Sequence, residues 1–493
     1  MKLKALLIPV ICMGISSVSA ATLKDVVGDV LETNPIIKER LKNYNATKED
    51  ISIANAGYLP TLDVQASAGR KYTNRFNGGV EESFDIFQSS LMLRQNIFNG
   101  FSTQEQVNYQ EMRTLAAAFS YLEKANDVTL QTITVYVELL RQKALLRNSQ
   151  INVSHNTKLY DKVSKSYKAG LTTLSEVSKI QSSLSLAKSN MIVQQNRLQN
   201  ALFNFRRITG KMIALNSLME PSFDLELPTT QEQARMFALE YNPSLLVGKY
   251  NIKGAEALYR ESKSKFMPKI DLELSENYNE NFDVLQNDSP DDRLQAMVVV
   301  SYNLFNGGAD EAARRNKLSK LSQEVEVVND LRRQVIEGID LSWSAYELAN
   351  EQIPFLRNYK LESQKTLKLY SKEYAMGERS LLDLLATEND LKRANDEVIN
   401  AKYNLTLAKY RILDAMGLSM ASILGTVDQY YKNVGVEEKK GMNDLDVLPT
   451  TLDSDNNGVV DTKDICLNAK DKNTKTPFGC TQGYQSLKSI RLN

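Results

Sequence analysis

Phe98-Asn99-Gly100 returns as Phe305-Asn306-Gly307, about 207 residues further along a chain of 493. Working outward from that pair, Asn34-Pro35 recurs as Asn242-Pro243 and Pro60 as Pro268. Tyr167-Lys-Ala-Gly170 recurs as Tyr374-Ala-Met-Gly377, and Gly210 as Gly417. The punctuation comes in one order in both halves. Each half is therefore expected to be one copy of a large supersecondary unit, related to the other by pseudo-symmetry.

Between the punctuation marks, apolar residues recur at the helical period. The largest such stretches run from about Ser102 to Lys168 and from about Ala309 to Met376. At 1.5 Å per residue each would be roughly 100 Å long, far beyond an ordinary globular helix. Shorter helices are expected from about Leu23 to Ala56 and Leu174 to Thr209, with copies near Thr230 to Lys265 and Leu381 to Ala415. The short pair of each half matches one long helix in length and is expected to stack beside it. A narrow stripe such as Leu122, Ala125, Val128, Ile133, Val137 and Leu140 predicts coiled-coil-like packing.

The segment before each long helix has a different period. Leu62, Val64, Ala66 and Ala68 alternate with Thr61, Asp63, Gln65 and Ser67, and Leu91, Leu93 and Ile97 face away from Ser90, Arg94 and Asn96. In the second half Ile270, Leu272 and Leu274 alternate with Asp271, Glu273 and Ser275, and Ala296, Val298, Val300, Tyr302 and Leu304 continue the pattern. These predict four strands of about 10 residues, long enough to cross a bilayer when tilted. Four strands cannot close a barrel, which needs about eight, and lipid does not tolerate open edges. If the strands span a membrane, protomers must pool them; the alternative is a small soluble sheet domain.

Lys2 and Lys4, an apolar run from Ala5 to Ile15 and Ser16-Ser-Val-Ser-Ala20 have the layout of a secretory signal peptide. Beyond it no apolar run approaches the roughly 20 residues of a membrane helix. The 60 basic and 60 acidic residues balance, which argues against a nucleic-acid partner. Cys466 and Cys480 lie beyond the signal of an exported chain, and a disulfide between them is the leading reading, with free thiols the alternative. The single histidine, His155, falls mid-helix, and neither a nucleophile motif nor a phosphate loop is legible, so no enzyme is expected.

With repeat, strands and turns in place, the chain resembles the TolC family of outer-membrane channel-tunnels. The resemblance is carried by Leu91-Met-Leu-Arg-Gln-Asn-Ile-Phe-Asn-Gly-Phe101, by Arg333-Gln-Val-Ile-Glu-Gly338 with Ser342-Trp-Ser-Ala-Tyr346, and by Tyr374-Ala-Met-Gly-Glu-Arg-Ser-Leu-Leu-Asp-Leu-Leu-Ala-Thr-Glu-Asn389. The last two are most like the branch serving type I secretion, including the outer-membrane component of adhesin export. It covers about residues 22–425. It implies an α/β membrane protein: a homotrimer pooling its strands into one 12-stranded β-barrel in the outer membrane, on a long α-helical tunnel crossing the periplasm. It implies as partners a periplasmic membrane fusion protein, an inner-membrane ABC transporter (an RND pump in the efflux alternative), and an exported protein substrate. A soluble periplasmic coiled-coil adaptor is the competing class. The division expected is 1–20 signal peptide, 21–210 first repeat, 211–229 connector, 230–417 second repeat, 418–445 equatorial segment and linker, and 446–493 tail.

Gly170 and Gly377 stand between a long helix and its return, where a tight reversal favours positive φ. By resemblance these tips are the periplasmic entrance, with Gly170, Leu171, Gly377, Arg379 and Ser380 docking the fusion protein. Tyr374, Arg379, Asp383 and Glu176 match positions whose bonds hold the entrance shut and whose carboxylates ring the pore. Ala386 departs from the family pattern where a second carboxylate is expected, predicting a thinner ring. Without the resemblance, the same residues read as solvated helix charges.

The tail carries Asp453-Ser-Asp-Asn-Asn-Gly-Val-Val-Asp-Thr-Lys-Asp464. Asp453, Asp455, Asn457, Asp461 and Asp464, with the Val459 carbonyl, have calcium-loop spacing and predict a Ca2+ site; it resembles an aspartate-rich thrombospondin type 3 repeat. A polar flexible tail is the alternative.

Overall fold

The computed structural model describes residues 22–73, 82–223, 227–281 and 291–425, with 430, 432 and 434. The expected signal peptide, the calcium-loop residues Asp453 to Asp464 and the Cys466–Cys480 pair lie outside the described residues.

The first repeat runs α1 (Leu23–Thr33), α2 (Pro35–Asn55), β1 (Thr61–Thr73), β2 (Glu82–Phe98), α3 (Ser102–Lys168) and α4 (Leu174–Thr209). The second runs α5 (Gln231–Tyr241), α6 (Pro243–Glu261), β3 (Lys269–Asn281), β4 (Asp291–Ser301), α7 (Ala309–Met376) and α8 (Leu381–Ala415), followed by α9 (Ser419–Leu424).

The first short helix of each half, expected as one rod, is broken by its Asn-Pro pair. A residue preceding proline is pushed out of the helical region, and Asn34 and Asn242 sit at φ, ψ of −63°, 126° and −62°, 124°. Each then caps the next helix: Asn34 Oδ1 accepts from Ile36 N–H and Asn242 Oδ1 from Ser244 N–H, both at 2.9 Å. Each amide also donates across the fold, Asn34 to the Ile208 carbonyl at 3.4 Å and Asn242 to that of Ala415 at 2.9 Å. The cap thus ties the broken helix to the end of the returning one.

The four strands form one antiparallel meander in the order β1-β2-β3-β4. At 13, 17, 13 and 11 residues they exceed the expected ten and meet the length for a tilted membrane strand. Leu62, Val64, Leu91, Leu272, Leu274, Leu294, Val298 and Val300 stand exposed on one face. The other is polar and cross-linked: Arg94 pairs with Glu273 at 2.7 Å, and Asp271 accepts from Asn96 at 2.8 Å and pairs with Lys269 at 2.9 Å. An apolar surface of this kind suits contact with lipid, and the polar face suits the lumen of a barrel. The alternation expected to continue to Leu304 stops being strand at Ser301, because Ser301 is opposite Lys269, where β3 begins, and later residues have no neighbour to bond.

Below the sheet, α3 is the core helix. Ala118, Leu122, Ala125, Val128, Ile133, Tyr136, Val137 and Leu139 are buried against α1, α4, α8 and α9, and the Tyr136 hydroxyl donates to the Met219 carbonyl at 2.7 Å. Its copy α7 is equally long, at 68 residues against 67, and holds Pro354 within it, a position that removes one helical donor. Only Val328, Ile339, Trp343, Ala349 and Ser363 are buried on α7, while Leu341, Leu348, Phe355, Leu361 and Leu369 are exposed. One protomer leaves an apolar stripe on this helix uncovered.

Candidate functional site

Both hairpin tips are built by the same turn. Gly170 has φ +74° and Gly377 φ +80°, and each ends its long helix in a Schellman motif. Leu171 N–H donates to Ser166 O at 2.9 Å and Gly170 N–H to Tyr167 O at 2.9 Å; Glu378 N–H donates to Glu373 O at 3.0 Å and Gly377 N–H to Tyr374 O at 3.2 Å. A Cβ at either glycine would meet nothing within 4 Å, so the left-handed φ is the reason for glycine. Ser380 starts α8 by accepting from Asp383 N–H at 3.2 Å, and its hydroxyl donates to the Asp383 carboxylate at 2.8 Å. Leu171 projects from its tip, 80% exposed.

The two tips are one body within the chain. Leu159 and Val163 of α3, Ile180 of α4 and Leu381, Leu384 and Leu385 of α8 form a separate core cluster, with Tyr370 and Tyr374 packed on it. Tyr374 lies half-sunk there with Lys162 Nζ 5.7 Å from its ring centroid. Burial raises its phenol above the ordinary value, and the Glu176 carboxylate adds to the shift. The Glu176 carboxylate, on the other hairpin, thus acts on the Tyr374 phenol across the two tips. Glu176 also takes a hydrogen bond from the Thr172 hydroxyl.

Arg379 is placed by a residue the sequence reading did not single out. Its guanidinium pairs with Glu373 through Nη2 at 2.8 Å and Nε at 2.9 Å, and stacks over Tyr370 at 4.2 Å. Glu373 lies one helical turn before Gly377, and only the geometry of the reversal brings it back under Arg379. Asp383 is engaged by Ser380, so Arg379 and Asp383 each have a partner within their own tip. Five residues further into α8 than Asp383, Glu388 has one carboxylate oxygen buried with no hydrogen-bond partner, and burial pushes its carboxyl up to about 7. Among the described residues no group of His, Cys, Asp and Glu could hold a metal ion, and no helix is long and apolar enough to cross a membrane.

A sheet with one lipid-compatible face, set on paired helices roughly 100 Å long, is the architecture of an outer-membrane channel subunit. The chain belongs to the outer membrane efflux protein family, whose model matches residues 26–211 and 237–418, once on each repeat. It is 25% identical to the outer membrane efflux protein BepC of Brucella suis, over 78% of this chain and 82% of that one. It is 22% identical to the outer membrane protein TolC of Escherichia coli, covering 84% and 86%, and 22% identical to the proteases secretion protein PrtF of Dickeya chrysanthemi, covering 81% and 88%. Among solved structures, CusC superposes with a TM-score of 0.71 at 15% identity, over 80% of this chain and 91% of that one. VceC of Vibrio cholerae superposes at 0.69 and 16%, over 80% and 96%. The protein is an outer-membrane efflux or secretion channel that extends into the periplasm.

Proposed function

We propose that the protein is the outer-membrane duct of a type I secretion system, passing a protein substrate from an inner-membrane ABC transporter and its fusion protein to the outside. The observation that carries this reading is the sequence Tyr374 to Asn389 at the second tip, most similar to the type I branch, packed beside a first tip whose exposed Leu171 suits adaptor docking. Relatives named for protease secretion, PrtF of Dickeya chrysanthemi and AprF of Pseudomonas aeruginosa, support it. The uncovered edges of β1 and β4 and the apolar stripe of α7 support a trimer pooling its strands into one barrel. In that assembly Asp383 and Glu176 would ring the entrance, and the Arg379–Glu373 and Tyr374 contacts would stiffen each tip against opening. Comparing proteins in the medium of cells with and without this chain tests the reading: a missing large polypeptide supports it. Unchanged secretion with heightened sensitivity to small toxic compounds favours efflux, the reading that the name of BepC supports.

A separate proposal concerns the tail, where the spacing from Asp453 to Asp464 supports a Ca2+ loop stiffened by a Cys466–Cys480 disulfide. Limited proteolysis of the full chain checks it. Millimolar calcium should protect the tail, and Asp453→Ala with Asp455→Ala should abolish the protection; equal digestion with and without calcium would remove it.

A further inference from the structure

The pairings β1–β2 and β3–β4 are one register written twice. Moving each residue to its counterpart in the other repeat, as Pro60 maps to Pro268 and Phe98 to Phe305, turns Thr61↔Arg94 into Lys269↔Ser301, the pair observed. The flanking sequences agree. Pro60-Thr-Leu-Asp-Val-Gln-Ala-Ser67 matches Pro268-Lys-Ile-Asp-Leu-Glu-Leu-Ser275, and Asn96-Ile-Phe-Asn-Gly100 matches Asn303-Leu-Phe-Asn-Gly307.

The β2–β3 pairing has no such copy. Its counterpart would join β4 to β1, which are the two opposite edges of the sheet. What that contact contains can be read from β2–β3 itself. Asn96 lies opposite Asp271 and donates to its carboxylate at 2.8 Å, Ile97 is the extra residue of a bulge, and Phe98 pairs with Ile270. On β4 the same three positions are Asn303, Leu304 and Phe305. They follow the end of the strand, with Leu304 and Phe305 exposed at 87% and 84%. Leu62 and Asp63, the counterparts of Ile270 and Asp271, are exposed on β1.

We propose that β4 pairs with β1 of a second copy of this chain in the register Asn303↔Asp63 and Phe305↔Leu62, with Leu304 as the bulge. Assembly then extends β4 through Phe305, to the same point at which β2 ends. The inference rests on the pooled-barrel reading and adds the seam's register and its polar anchor. The register keeps faces matched: it places Val300 opposite Ala66, both on the apolar face, and Val299 opposite Ser67 on the other. The seam also differs from its template. Ser301 and Gln65 stand where Arg94 and Glu273 form their ion pair, so the Asn303–Asp63 hydrogen bond is left as the seam's counterpart of the Asn96–Asp271 contact, without that salt bridge.

Cysteine pairs in the full chain, with Cys466 and Cys480 replaced by serine, test the register. Val299→Cys with Ser67→Cys should give oxidant-dependent covalent dimers and trimers on denaturing gels, reversed by reductant. Val299→Cys with Gln65→Cys or with Gly69→Cys, two residues out of register in either direction, should give at least tenfold less. Cross-linking that prefers a shifted pair overturns the register, as does a trimer in detergent that none of the three pairs cross-links. A monomer in detergent, measured by light scattering on the unsubstituted chain, overturns the pooled-barrel reading itself.

Discussion

Arg379 is held by two different kinds of contact at once, a forked ion pair to Glu373 and the face of Tyr370. Exposed pairs contribute little to global stability, so the consequence belongs to the tip's motion. Arg379→Ser with Tyr374→Phe should raise single-channel conductance, and Glu373→Gln should reproduce part of the increase; unchanged conductance in both variants would return these residues to an ordinary solvated surface. Glu388 supplies a pH dependence. Its folded-state carboxyl is raised from 4.5 to about 7 by burial, so the protonated form is the one the fold accepts. Its contribution is fully present below about pH 4.5 and is lost as pH rises through about 7, on the order of 3 kcal/mol per chain. Glu388→Gln should therefore raise the thermal midpoint at pH 8, leave it nearly unchanged at pH 4.5, and flatten the profile between; an equal effect at both pH values would contradict this. At this scale the sequence showed what local turn chemistry fixes, namely Gly170 and Gly377, whereas Ser380, read there only as a docking position, also caps α8. The sequence hid Glu373 and Glu388, whose partner or lack of one is decided only when the hairpin closes and packs.

The elements are bounded by residues that act in both repeats. Asn34 and Asn242 end one helix, cap the next and reach a carbonyl of a third. Asn242→Ala should cost about 1–2 kcal/mol from the lost cap and the carbonyl left unpaired, and Asn34→Ala less, since its cross-fold bond is longer; thermal unfolding of the detergent-solubilised protein measures both. Gly417 adds a close approach. At φ +81°, a Cβ there would lie 2.5 Å from Pro243 Cδ, so Gly417→Ala should lower the midpoint far more than Gly170→Ala, whose cost is the left-handed φ alone, about 1 kcal/mol. Equal shifts would mean that the Pro243 contact relaxes freely. The long helices were legible because their ends are marked by Gly170, Gly377 and the Phe-Asn-Gly turns. The breaks at Pro35 and Pro243 were not read, because the apolar period runs on through them. The early end of β4 was invisible for another reason: alternation reports which face is apolar, and says nothing of whether a neighbouring strand is present to bond.

At the scale of the whole molecule, two features of one protomer point outward. The sheet has a lipid-compatible face and two open edges, and α7 carries an apolar stripe with nothing of its own chain upon it. Both are satisfied by copies arranged around a threefold axis, which would close the sheet into a barrel and set the helices around a lumen continuous with it. The tips, with their own small core, would then form the end of the duct that faces the inner membrane. Planar-bilayer recording of the purified mature protein tests this most directly. The account predicts discrete, cation-preferring conductance steps from a trimer. A protein that stays monomeric in mild detergent and leaves the bilayer electrically silent would contradict it.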